Sequence, residues 1–355
     1  MAATAGPPGA YERRSASDAT GIALLGVCAA WTLITAGVHG GQPEGVLLAV
    51  LAVAAGYAGG RICGTLLPVA APCAGALAGI GLAAAAPRLS PGPVSTAPLG
   101  HTGATAALLI LASGAACCAA WAARKPALRL VLRLLAAGTV VAAAALGSMA
   151  GVAACTGILL CSLAAALMRR RALGLLGLAL ATVVVTGLTW AIADDVLPDG
   201  LSASLEGQLD GHRVQLWQDA LDLAGREPAL GVGPGRFGDA SPTVAENLLS
   251  DGKPHSAPLQ QAAEQGFAGV ALLAAVFCWL LYALYRSPRS TQVVLSAGAA
   301  LTALAAVASV GNALSVTAVT TGAGYLAGIA TARPLSDELS QVRPPGSPPW
   351  AAGPG

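Results

Sequence analysis

The chain has 355 residues, of which 55% are apolar and only 10% charged, and its formal net charge is +2. A water-soluble domain carries about 25% charged residues, so this composition excludes an ordinary solvated surface. The eight cysteines all fall in apolar runs without metal-ligand spacing, which excludes a disulfide framework and leaves them as small core residues.

Residues 1–19 form a short polar tail. Apolar runs long enough to span a bilayer then recur at 21–38, 45–60, 62–86, 104–123, 130–146, 151–168, 172–192, 259–285, 291–310 and 313–332. Arg13 and Arg14 precede the first run and no small-residue cleavage site follows it, so it reads as a retained span. Pro68 and Pro72 fall inside the third run, where they are expected to break or kink the helix; a broken helix can line a cavity. The stretch 134–168 is too long for one span and has basic residues at both ends. Two spans joined by a tight turn at Gly147-Ser148-Met149-Ala150 satisfy both facts. Abundant Ala and Gly predict close helix packing. The expected fold is therefore all-α: a polytopic membrane protein with about ten transmembrane helices. Seven lie in 20–192, a large loop occupies 193–258, three more lie in 259–332, and 333–355 is a disordered Pro/Gly-rich tail.

Ten spans put both termini on one side, and the basic residues then sort. Fourteen of the 19 fall on the side of the termini; only Arg88, Arg213, Arg226, Arg236 and Lys253 fall opposite. The positive-inside rule makes the crowded side cytoplasmic, so the loop 193–258 is expected outside, where no ATP is available. Any substrate there should arrive already activated, most simply on a lipid. The loop region also concentrates acid: 12 of the 17 Asp and Glu residues lie between Asp194 and Gly266.

That polar segment carries the residues able to do chemistry. Trp217, Ala220, Leu221 and Ala224 recur at helical spacing, which predicts an amphipathic helix over Gly211–Ala224. Arg213 shares the apolar face. With that face on the bilayer, its guanidinium would sit at the membrane boundary, either forked onto a phosphate or snorkelling to headgroups. Gly231-Val232-Gly233-Pro234-Gly235 matches neither nucleotide fingerprint and reads as a tight turn ending the helix. Arg236 follows it, either facing the same pocket as Arg213 or tied to Glu264. His255 stands where the chain re-enters the membrane. Ser256 is placed to cap the next helix and Pro258 to fit its first turn, and a helix N-terminus attracts anions. Gln260 and Glu264 lie four apart on one face of that helix. His39 and His101 read as ordinary interfacial loop residues. With no His-x-x-x-His, Cys-x-x-Cys or Asp-x-Asp, no metal site is expected, and no cofactor or nucleic-acid partner either.

The order of these pieces resembles the O-antigen ligase and polymerase superfamily, multispan enzymes with one large outer loop late in the chain. The resemblance is carried by Arg213 and Trp217, by Pro228, Gly231, Gly233, Gly235 and Phe237, and by His255 with Leu259, Glu264 and Gly266, over roughly residues 205–270. It departs at Ser148-Met149-Ala150, where the family often has Ser-Arg-Gly, and at Ser256, where it has Asn. The resemblance implies an inverting, metal-independent glycosyltransferase of the cytoplasmic membrane. Such an enzyme moves a glycan from a polyprenyl-diphosphate carrier to a glycan or lipid acceptor at the outer face. It also implies Arg213, His255 and Glu264 as catalytic residues and Arg236, Trp217, Gly233 and Gln260 as substrate contacts. The signature sequences of the ten-span peptidoglycan polymerases are absent. The alternative from another class is a transporter or flippase of lipid-linked glycans.

Overall fold

The computed structural model describes residues 8–89, 100–168, 170–194, 211–246 and 252–333. It is helical throughout these residues: α1 (Pro8–His39), α2 (Glu44–Leu66), α3 (Ala70–Leu89), α4 (Gly100–Ala122), α5 (Pro126–Ala145), α6 (Met149–Ala164), α7 (Arg171–Ala193), α8 (Gly211–Arg226), α9 (Phe237–Ala240), α10 (Pro242–Glu246), α11 (Ala257–Tyr285), α12 (Thr291–Ser309) and α13 (Thr317–Thr331). Each of the ten apolar runs has become a helix, except the third, which α2 and α3 divide. Seven of these helices are long and apolar enough to cross a membrane; Ala70–Ala85 and Met149–Ala164 are shorter apolar helices. The protein is a polytopic, all-helical membrane protein. The expectations for the tails at 1–7 and 334–355 and for the loop stretches 195–210 and 247–251 lie outside the described residues, as does the side chain of His101.

Two boundaries differ from expectation. α2 does not stop before Arg61 but runs on to Leu66. The charge is tolerated inside the helix because Arg61 Nη1 meets Asp18 Oδ1 at 3.1 Å near the start of the α1 span. The prolines do not kink a helix from within. Pro68 stands between α2 and α3, and Pro72 occupies the first turn of α3, where a missing N–H costs nothing. The turn before α6 is as expected: Gly147 adopts φ 70° and Ser148 caps α6, its Oγ accepting from Gly151 N at 3.2 Å.

α4 is the central post. Of the residues in its apolar window 94% are buried, against 11% in α7, so α7 faces outward. Leu176, Leu180, Val183 and Val184 on α7 are exposed, as lipid-facing side chains must be. The tightest contact in the bundle joins α2 to α13. A Cβ on Gly56 or Gly60 would lie 2.2 Å from the carbonyl oxygens of Thr321 and Tyr325, and one on Gly324 or Gly328 would lie 2.3 Å from those of Val53 and Tyr57. Glycines four apart on both helices thus bring backbone onto backbone, the device by which membrane helices associate without a hydrophobic drive.

The segment between α7 and α11 forms a cap at one end of the bundle. Its core holds Leu216, Trp217, Ala220 and Leu223 of α8, with Phe237, Leu259 and Ala263. The apolar face of α8 packs on α11 and α7. This corrects the placement of that face on the bilayer, because protein already covers it. Basic side chains gather at the opposite end. There Arg171 Nη1 donates to Ser287 O at 2.8 Å and Arg289 Nη2 to Gly64 O at 2.7 Å.

Candidate functional site

The site is built around a break in α11. Gly266 has φ 69° and ψ −172°, which interrupts the i to i−4 ladder and orphans backbone groups that a regular helix would pair. The turn after α8 satisfies them. Val232 N donates to Ala263 O at 2.8 Å and Gly233 N to Glu264 O at 2.9 Å, while Phe267 N donates to Pro228 O at 2.9 Å. Trp31 Nε1 of α1 reaches Gln265 O at 3.2 Å. Glycine is required on both sides. At Gly231, φ is 64° and a Cβ would lie 2.4 Å from the Glu264 carbonyl carbon; at Gly266, a Cβ would lie 2.6 Å from the oxygens of Pro228 and Ala229. The turn is clasped on its other side by the α1–α2 connection: Gln42 N donates to Pro234 O at 2.8 Å and Arg236 Nη1 donates to His39 O.

The candidate residues separate into two groups. Glu264 is only 3% exposed. Its carboxylate accepts from Gln260 Nε2 at 3.1 Å and from the backbone N–H groups of Gly235 and Phe237, with Lys253 adding an attractive charge. The carboxylate therefore holds the glycine turn, and Gln260 holds the carboxylate. The amide of Gly233 is committed to Glu264 O. Trp217 is fully buried in the cap core, so it presents no surface to a substrate, and its indole N–H is buried without a partner. The postulated tie between Arg236 and Glu264 is not formed, because Arg236 turns to His39 O instead.

The second group is Arg213, Arg236 and His255. Arg213 is 6% exposed and its Nη1 donates to Val310 O, the C-cap residue of α12, at 2.7 Å. A guanidinium there suits the negative end of the helix dipole. Leu216, Trp217, Leu259 and Val310 share one apolar cluster, so α8, the start of α11 and the end of α12 are locked together beneath Arg213. Arg236 is exposed. His255 is half-buried and adopts φ 53°, the described non-glycine residue with positive φ. Such a conformation is uncommon and recurs at functional sites. It aims the chain into α11, where Pro258 sits in the first turn as expected. Ser256 occupies the N-cap position but makes no side-chain cap bond; its Oγ is buried and unpartnered.

Residues 134–274 match the family model described as O-antigen ligase. That stretch is similar to the O-antigen ligase family. It takes in α5 from residue 134 on, α6, α7, the cap and α11 past its break, and the likeness implies lipid-linked glycan substrates at a membrane. No curated protein and no solved structure matches the chain at a significant level. Within the O-antigen ligase stretch the departure at Met149 falls at the first residue of α6, where its side chain is 78% exposed. Among the described residues no three His, Cys, Asp or Glu side chains stand together as a ligand set.

Sequence reasoning missed the residues that reach the site from outside the loop. His39, read as an ordinary loop residue, lies over the turn: a Cβ on Gly233 would be 2.9 Å from His39 Cβ. A signal was available in Gly41, whose own Cβ would meet Pro234 O at 2.6 Å. Val310 offers only a backbone oxygen, which no residue type announces.

Proposed function

We propose that the protein is an inverting glycosyltransferase of the ligase or polymerase type. It moves a glycan from a polyprenyl-diphosphate carrier to an acceptor hydroxyl at the outer face of the cytoplasmic membrane. The observation that carries this reading is the entry to α11. His255 is held in a left-handed conformation directly before a helix N-terminus, beside a buried Ser256 hydroxyl with no partner. Helix N-termini bind phosphate oxygens, and a buried unsatisfied hydroxyl calls for a ligand. The acceptor oxygen attacks the anomeric carbon as the anomeric carbon–oxygen bond to phosphorus breaks. The bonding pair leaves with the diphosphate, and the hydroxyl proton passes to water. Fixed cations stabilise the charge that builds on the diphosphate: the guanidinium of Arg213 and, from the exposed side, that of Arg236. Glu264 is a positioning residue that keeps the turn and Arg236 in place.

The test is transfer in vitro by purified protein, with a polyprenyl-diphosphate sugar as donor. A new glycosidic bond is expected, and it should still form in the presence of a chelator. Movement of the donor across a vesicle membrane without bond formation would establish the flippase reading instead. Arg213→Lys keeps the charge but loses the bidentate fork, so turnover should fall on the order of 10²-fold with little change in thermal stability. Arg226→Lys is the control, since that side chain is 70% exposed and pairs only with Asp222; such pairs contribute little. If Arg213→Lys loses stability in step with turnover, the residue serves as the cap of α12 and not as a diphosphate contact.

A further inference from the structure

At the end of the bundle opposite the cap, α4 ends and α5 begins in a cluster of four cations: Arg124, Lys125, Arg129 and Arg133. No Asp or Glu occurs between Glu44 and Asp194, and among the described residues no carboxylate pairs with any of the four. The helix dipoles do not offset this charge, because the negative end of α4 and the positive end of α5 meet here and cancel. Trp121 is the fixed point of the cluster. Its Nε1 donates to Ser162 Oγ at 2.9 Å, and Ser296 Oγ donates to the same oxygen at 2.8 Å, which ties the indole to α6 and α12. The guanidinium carbons of Arg129 and Arg133 stand 6.0 Å and 5.2 Å from the centre of its ring. A cation–π contact takes up none of a guanidinium's five N–H donors. Arg129 gives a donor on Nη2 to Ala123 O at 3.0 Å, and Arg133 is exposed.

Membrane depth turns the cluster into a site. α5 has 20 residues, about 30 Å, which is the thickness of the hydrocarbon layer. α6 has 16 residues, about 24 Å, and Ser162, the partner of Trp121, lies in its last turn. The two helices are joined at their other ends by the turn at Gly147-Ser148, so the difference of 20 − 16 = 4 residues falls at this end. α5 therefore overhangs α6 by about 6 Å. A span as short as α6 thins the bilayer beside it, which draws headgroups down into the step. Arg129, three residues after Pro126, lies within the overhang; Arg133 lies one turn deeper and is long enough to reach up to it. Leu130, Val131 and Leu134 on the same helix are more than half exposed, as side chains facing acyl chains must be. Guanidiniums inside a span are costly without a partner, and Trp is enriched at headgroup level. We propose that this step binds the phosphodiester headgroup of an anionic phospholipid, independently of the chemistry at the cap. Arg129 and Arg133 meet the phosphate over the Trp121 ring, and Arg124 and Lys125 add the attraction that favours a net negative headgroup over a zwitterionic one.

The experiment uses the purified full-length chain in neutral detergent, titrated with phosphatidylglycerol or phosphatidylcholine and read by native mass spectrometry and thermal melting. Phosphatidylglycerol should be retained preferentially and should raise the melting temperature. Arg133→Gln should weaken its retention about fivefold, and Arg129→Gln with Arg133→Gln about 30-fold; the single variant, at an exposed position, carries the test if the double one fails to fold. Arg286→Gln removes the same charge at the same end of the bundle but beside Asp18 and Arg61, and it should leave retention unchanged. Equal retention of the two lipids, or undiminished retention by the Arg133 variant, would overturn the proposal. Equal losses in the Arg133 and Arg286 variants would mean attraction by diffuse charge and overturn it too. Stabilisation by inorganic phosphate alone, matching that given by the lipid, would put a soluble phosphate at the step and overturn the lipid assignment.

Discussion

Between α2 and α13 glycine serves by what it lacks, whereas at the cap it serves by how its backbone turns. Gly56, Gly60, Gly324 and Gly328 sit in regular helix, and each is needed because a Cβ would strike the facing carbonyl within 2.2–2.3 Å. Gly231 and Gly266 have φ of 64° and 69°, and they let a helix open and a turn fill the opening. The first contact excludes every side chain along a surface and gains dispersion contacts over several turns. The second is a short set of backbone hydrogen bonds whose loss strands polar groups. A bundle built on the first should tolerate damage to the second, and the cap should not.

The largest effect is expected from Gly60→Leu. Its side chain has no room against Tyr325 O, so α2 and α13 must separate, at a cost of about 3 kcal/mol or more. Thermal melting in detergent should drop steeply and size-exclusion profiles should broaden. A normal melt would mean that the two helices are not held by this contact. Gly266→Ala should cost less stability, about 1–3 kcal/mol, but should abolish glycan transfer, because the turn carrying Arg236 can no longer dock. Retained transfer with this variant would separate the break in α11 from function. The smallest effect is expected from Glu264→Gln, which keeps the shape and replaces one of the carboxyl oxygens available to the backbone N–H groups of Gly235 and Phe237. Stability should fall by about 1–3 kcal/mol and turnover only severalfold. A loss of turnover on the order of 10³-fold at unchanged stability would make Glu264 a proton acceptor and overturn its positioning role.

The helices were legible because a bilayer demands uninterrupted apolar runs, and all but the third run, which α2 and α3 divide, match one helix each. The start of α3 was not legible, since a charged residue within an apolar stretch looks like a boundary; Arg61 is carried inside α2 by a partner 43 residues away in sequence. The glycine repeats on α2 and α13 were visible as spacing but merged into a general richness in small residues. In the cap, the motif residues were recognisable one by one, and the joint they form was not. Ala263 and Glu264 contribute backbone oxygens to it, and carbonyls leave no mark on composition. The burial of Trp217 and Glu264 follows from that joint, which draws both side chains into its packing.

α11 runs from the joint at the cap to the basic end of the bundle as one element, Ala257–Tyr285. From Gly266 to Arg286 it is a continuous helix, so the two ends share a rotational phase. Inserting or deleting a single residue between Phe267 and Ala283 would turn one end against the other by about 100°, and nothing short of roughly a whole turn would bring both back into line. Length variation in this helix should therefore come in steps of about one turn, even though neither end lies within the stretch that changes.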